Sequence, residues 1–184
     1  MSVYLDFDEK GVPFSSKSIY IPTLASIKSG KKSFHRTMHA GELGDPRNPR
    51  DAMILGAERL GHGVKLEEDP IALEYATIHK IPVEINLTSN VKLQAIKNLK
   101  DHPFLKYLRL GLKVSLSTDD EGIFKTNINQ ECEKAILNTD VTYAEMKQMA
   151  FNAIDAAFIS EGEKQPLREK LNSQYAEFEK KQKL

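Results

Sequence analysis

The sequence predicts an α/β protein built on a parallel sheet. Two observations carry that prediction. Short, β-prone apolar runs recur at intervals of about 24–31 residues with helix-patterned stretches between them, which is the rhythm of repeated βαβ units. Several of these runs also end in a glycine or in a polar residue capable of chemistry. Strands of parallel sheets end this way when their carboxyl ends face a site.

Taken in order, residues 3–7 read as a short β-prone opening, and residues 16–31 mix loop and helix, with Ile21, Leu24 and Ile27 at three-residue spacing. Residues 34–40 are the second candidate strand. Pro46 and Pro49 suit the first turn of a helix that runs through Ala52, Leu55, Gly56 and Ala57, because a first turn needs no amide hydrogen there. Residues 59–63 form a brief third strand, followed by a helix from Asp69 or Pro70 to His79. Residues 82–87 and 113–117 are the fourth and fifth strands. The helical stretch between them carries Phe104, Leu105, Leu108 and Leu110 and is ended by Gly111. From Asn129 onward the pattern is helical, with helices over residues 143–160 and 164–183. In the last one Leu167, Leu171, Tyr175 and Phe178 make an apolar stripe that predicts a docking face. No internal repeat or low-complexity linker interrupts the pattern, so residues 1–184 read as a single domain.

Composition narrows the function. The 184 residues suffice for one real core. Lysine plus arginine and aspartate plus glutamate both number 26, so the chain is formally neutral, with an isoelectric point near 7.0. That excludes a broad electrostatic grip on nucleic acid or an anionic membrane and favours a small or neutral ligand. Cys132 is the single cysteine, so neither an intrachain disulfide nor a cysteine-based zinc site can form, and a reducing compartment is expected. The opening residues lack the basic flank and apolar core of a secretory signal, and no run approaches the roughly 18 apolar residues of a membrane span. The expectation is a soluble, cytoplasmic protein.

The chemistry concentrates at the strand ends. His39 and Glu42 follow the second strand, His62 closes the third, Ser89 and Asn90 lie past the fourth, and Asp119 and Asp120 follow the fifth. Two imidazoles and three carboxylates so placed suit a metal-activated water and a proton donor. Neighbouring glycines let backbone or ligand come close.

Four motifs carry a resemblance. His35-Arg36-Thr37-Met38-His39-Ala40-Gly41-Glu42, Arg59-Leu60-Gly61-His62-Gly63, Leu87-Thr88-Ser89-Asn90 and Ser115-Leu116-Ser117-Thr118-Asp119-Asp120 resemble the adenosine deaminase family in order and approximate spacing. That family is a (β/α)8 TIM barrel binding one zinc ion. The resemblance implies a partial barrel here, about five parallel strands with a helical C-terminal tail, matching the family from about its fourth strand to its end. It further implies that His39 and Asp119 are zinc ligands and that His62 orients the water or takes its proton. Glu42 becomes the general acid that protonates purine N1 during attack at C6, protonated itself in an enclosed site. Asp120 and Gly41 would contact substrate, Asp120 at N7. The implied reaction exchanges the 6-amino group of a purine nucleoside or nucleotide for oxygen and releases ammonia.

Departures from the family pattern sharpen the expectation. Nothing in the sequence matches the family's His-x-His pair, which supplies two more zinc ligands, and His39 with Asp119 falls below the three protein ligands a catalytic zinc holds. The expected partner is therefore a missing N-terminal half, or a second copy associating through open barrel edges. Glu121 stands where proline often follows the paired aspartates, and Asn86-Leu87 replaces a Cys-Pro pair.

Other candidates have plainer roles. His35 and Arg36 are expected to be barrel-bottom or salt-bridged, His79 and His102 at the surface or at helix ends, and Asp45 a cap for the next helix. Two other readings stay open. One is a metal-free binding protein or split-barrel subunit with no activity of its own. The other is a magnesium-dependent phosphatase, because Val3-Tyr4-Leu5-Asp6-Phe7-Asp8 resembles the strand-plus-DxD opening of haloacid-dehalogenase-like enzymes. That reading leaves His39-Ala40-Gly41-Glu42 and Gly61-His62-Gly63 unexplained.

Overall fold

A computed structural model describes residues 35–183. The segments predicted at residues 3–7 and 16–31 lie outside the described residues, as does the opening on which the phosphatase reading depends. Four strands are described, β1 (Thr37–Ala40), β2 (Arg59–His62), β3 (Val83–Ile85) and β4 (Val114–Leu116), each inside the span predicted for it. They form one parallel sheet in the order β1-β2-β3-β4. A sequential order sends every crossover the same way, so the helices gather on one face and the sheet curls as an arc of a barrel. A doubly wound sheet would reverse direction at a switch point. The fold is thus a partial (β/α)8 barrel.

The helices between strands are α1 (Asn48–Ile54), α2 (Pro70–Ile78), α3 (Leu87–Lys92) and α4 (Phe104–Arg109). Pro49 and Pro70 stand in the first turns of α1 and α2 as expected, and Asp69 caps α2 by accepting from the Ala72 amide at 3.2 Å, whereas Pro46 lies in the turn before α1 and that helix stops at Ile54, short of the predicted Ala57. Asp45 acts one step earlier than predicted. Its carboxylate accepts from the Arg47 amide at 2.8 Å and pairs with the Arg47 guanidinium, while Arg47 occupies the cap position of α1.

Register separates two sheet faces. Met38, Leu60, Val83 and Val114 are lateral neighbours, none more than 3% exposed, and they form the face packed under the helices. Burying each such side chain contributes about 1.5–3 kcal/mol. His39, Gly61, Glu84 and Ser115 are neighbours of the opposite parity and line the inner face.

After β4 come α5 (Glu121–Phe124), α6 (Ile128–Asn138), α7 (Tyr143–Ala156) and α8 (Glu161–Gln182). The helix predicted over residues 143–160 stops at Ala156, because Ser160 and Glu163 form a capping box that starts α8 afresh. Helix α7 lies along the free edge of β4, where the Asn152 amide donates to the Val114 carbonyl at 2.8 Å. Helix α8 docks on α7 through Tyr175 and Phe178, whose rings meet Tyr143, and through a Lys147–Glu179 ion pair at 2.6 Å. The predicted stripe is only partly a docking face, since no residue of α8 is buried and Leu167 stays 43% exposed. Among the described residues no helix is long and apolar enough to cross a membrane.

Candidate functional site

His39 is set by its strand neighbour. It pairs in register with Gly61, and a Cβ added at Gly61 would stand 3.2 Å from His39 Nδ1, so the glycine leaves the imidazole its place across the inner face. Beyond Ala40 the chain turns at Gly41, whose φ of +69° and closeness to Pro49 (2.6 Å from an added Cβ to Cγ) admit no side chain. That turn carries Glu42 to the rim.

His62 arrives by a different route. Strand alternation would give it the opposite parity from His39, and so the buried helix-facing side. Instead its φ is +68°, and reversing the sign of φ swings Cβ round the N–Cα bond. The two rings consequently lie 4.6 Å apart, with His62 fully buried. Asp119, at φ +57°, is turned in the same way after β4. Left-handed conformations at non-glycine residues cost energy and cluster where function requires them.

These residues converge. His39, His62 and Asp119 each offer one ligand atom, all within 4.8 Å of one another. His39 Nε2 is 3.7 Å from Asp119 Oδ1, and His62 Nε2 is 3.9 Å from Asp119 Oδ2. Ser89 donates to Asp119 Oδ2 at 2.7 Å and holds the carboxylate in place. Glu42 Oε1 lies 3.4 Å from His62 Nδ1 on the other side of the ring. The His39 imidazole and the Asp119 carboxylate are donor types that zinc accepts, and the His62 ring stands beside them. Asp120 is exposed at the start of α5.

Burial is the main electrostatic force on His62. It pushes the imidazole pKa down to about 4, a nearby charge on His39 works in the same direction, and Asp119 opposes them. His62 is therefore neutral at pH 7.

The shell behind His62 went largely unread in the sequence. Asn86 and Asn90 both bring amide nitrogens to His62 Nδ1, at 3.1 and 2.9 Å. His102, expected at the surface or a helix end, follows a short 3-10 turn but is 5% exposed and contacts Asn90 Oδ1 through Nε2 at 3.1 Å. Its position between Asp101 and the Pro103-Phe104-Leu105 run was the available signal, since an apolar flank favours burial. Helix α3, which carries Ser89 and Asn90, is anchored by the buried Glu131 of α6. That carboxylate accepts from the Thr88 amide at 3.0 Å and from the Thr126 hydroxyl at 2.6 Å. The remaining histidines match expectation. His35 and Arg36 pair with Glu58 at 2.8 and 3.6 Å, and His79 is exposed at the end of α2.

The family model described as adenosine deaminase matches residues 1–174. The chain belongs to the adenosine deaminase family. Within the family it is 40% identical over 136 residues to the adenosine deaminase of Serratia proteamaculans, covering 73% of this chain and 41% of that protein. The chain thus spans about two fifths of the length of that relative. Among solved structures, Arabidopsis ADAL complexed with IMP superposes with a TM-score of 0.77 at 28% identity, covering 89% of this chain and 47% of that one. A Burkholderia ambifaria amidohydrolase with bound zinc gives 0.76 at 25% identity, covering 94% and 48%. The four motifs that carried the resemblance to the adenosine deaminase family are the segments that build the site.

Proposed function

We propose that this chain contributes the metal- and proton-handling wall of a zinc-dependent purine deaminase, which hydrolyses the 6-amino group of a purine nucleoside or nucleotide. The carrying observation is the convergence of His39, His62 and Asp119 within 4.8 Å at successive strand ends, with Glu42 beside His62. The zinc-bound relative and the IMP-bound relative support the choice of metal and substrate class.

In this reading His39 and Asp119 hold zinc. When bound, zinc lowers the pKa of water enough to make a nucleophile near neutral pH. Ser89 keeps the Asp119 carboxylate turned to the ligand position. Glu42, protonated, gives its proton to purine N1 while C6 is attacked, which spares the ring from carrying negative charge. Asp120 hydrogen-bonds the purine ring at N7, which is the acceptor, and Gly41, with no side chain, lets the purine lie against its backbone. His62 faces the attacking water. Further zinc ligands, corresponding to the family's His-x-His pair, come from another polypeptide segment.

The test is zinc content by elemental analysis together with ammonia release from adenosine and AMP. Both are measured on the 184-residue chain alone and mixed with a polypeptide bearing the His-x-His strand. Zinc uptake and ammonia release in the mixture, abolished by Glu42→Gln with zinc retained, is the expected result. Unchanged turnover in Glu42→Gln would refute the general-acid role.

A further inference from the structure

The shell behind His62 contains a directed chain of hydrogen bonds whose polarity is fixed at one end by the backbone. The Phe104 amide can only donate, and it donates to His102 Nδ1 at 3.2 Å. A neutral His102 therefore carries its proton on Nε2. From there it donates to Asn90 Oδ1 at 3.1 Å. That contact fixes which way the Asn90 amide faces, so Asn90 Nδ2 donates to His62 Nδ1 at 2.9 Å. His62 Nδ1 is then an acceptor, and the ring proton must sit on Nε2, the nitrogen aimed at Asp119. Asn86 adds a second amide nitrogen at 3.1 Å, but its own oxygen has no hydrogen-bond partner among the described residues, so Asn86 cannot set the polarity alone. The competing influence is Glu42, whose carboxylate at 3.4 Å favours a proton on Nδ1 when ionised and accepts the observed polarity when protonated.

We propose that His102 and Asn90 are positioning residues that lock His62 as its Nε2–H tautomer. The consequence, resting on the deaminase reading above, decides His62's role. With Nε2 protonated it can donate a hydrogen bond to the attacking water and hold it in line with the purine. It can neither ligate zinc through that nitrogen nor take the proton of the water there.

The experiment is long-range proton–nitrogen NMR of the 15N-labelled 184-residue chain near neutral pH, before any zinc or substrate is added. The expected pattern for His62 is an unprotonated Nδ1 and a protonated Nε2. Asn90→Asp, which replaces the donor by an acceptor of the same shape, should move the proton to Nδ1. His102→Phe should leave the tautomer mixed, whereas His102→Gln, keeping a donor towards Asn90, should restore the Nε2–H form. In the zinc-loaded mixture His102→Phe should lower kcat by ~10–100-fold, as loss of an orienting partner does, with KM little changed and with partial rescue by His102→Gln. A proton on Nδ1 in the unsubstituted chain overturns the proposal without reference to any variant, and so does an unaltered His62 pattern in a folded Asn90→Asp chain. The expected nitrogen pattern without ammonia release would uphold the relay and sink the deaminase reading.

Discussion

Mild acid should destabilise this protein through His102, and His102→Gln should remove a defined part of the loss. In the folded state the His102 pKa is pushed down to about 3, first by burial and then by the His62 charge, whereas an unfolded chain titrates its histidine near 6.5. The folded value lies below the unfolded one, so unfolded protein binds the extra proton. The stabilisation is complete above about pH 6.5 and drains away as pH falls towards about 3. At about pH 5 the unfolded imidazole is protonated roughly thirty to one while the buried one remains neutral, so this residue alone lowers stability by ~2 kcal/mol relative to about pH 8. That figure depends on the unfolded pKa and hardly on the folded value, so long as the folded value lies well under 5. Urea unfolding of the metal-free chain and of His102→Gln, at steps between about pH 8 and pH 5, measures it. With slopes of about 1–3 kcal/mol per molar urea, the midpoints should fall by ~1 M more in the parent than in the variant. His62 shifts in the same direction but is present in both proteins. Parallel pH profiles for the two proteins would show that His102 is not held neutral by burial, and the reasoning would fail.

Other perturbations probe single contacts. Asp119→Ala should lower zinc content, because it removes a proposed ligand together with the acceptor of Ser89; full zinc retention by elemental analysis would take Asp119 out of the ligand set. Gly61→Ala places a methyl 3.2 Å from His39 Nδ1 and should weaken zinc binding by ~10-fold in a competition titration while the melting temperature barely moves. Gly63→Ala should cost about 1–3 kcal/mol by thermal unfolding, since the residue has φ +60° and its new Cβ would sit 2.7 Å from Val83 Cγ1. Tyr107→Phe should also cost about 1–3 kcal/mol, because the buried hydroxyl accepts from the Glu67 amide at 2.9 Å and lies 3.0 Å from the Gly63 and Val64 carbonyls. An unchanged midpoint would mean water replaces that hydroxyl.

Strands were legible because an apolar β-prone run between turn residues has few other uses, and each of β1 to β4 lies inside its predicted span. Helix starts with a local signal, such as Asp69-Pro70, were equally plain. Misreadings came where a local pattern had two outcomes. Asp45 had the right chemistry for a cap, but the turn it makes with Arg47 handed that position to Arg47. The stripe of α8 had helical spacing, yet spacing cannot say whether a neighbour extends far enough to cover Leu167. His102 carried no motif at all. Its importance lies in a contact with Asn90, twelve residues away, and in the donor polarity of one backbone amide.

By itself the sequence determined the ingredients: a parallel βαβ rhythm, the family, and which side chains stand at the strand ends. It put His39 at the end of a strand, where alternation and the register with Gly61 set its face. Strand alternation alone could not place His62 or Asp119, which only the family motifs put at the site. Alternation sends His62 to the far face, and only the left-handed backbone at φ +68° and +57° brings both residues round to His39. Such conformations are costly for isolated residues and are held only by the packing around them, here the strand pairing, Ser89 and the amides of Asn86 and Asn90. The tertiary structure thus decided that separate polar strand ends became one site.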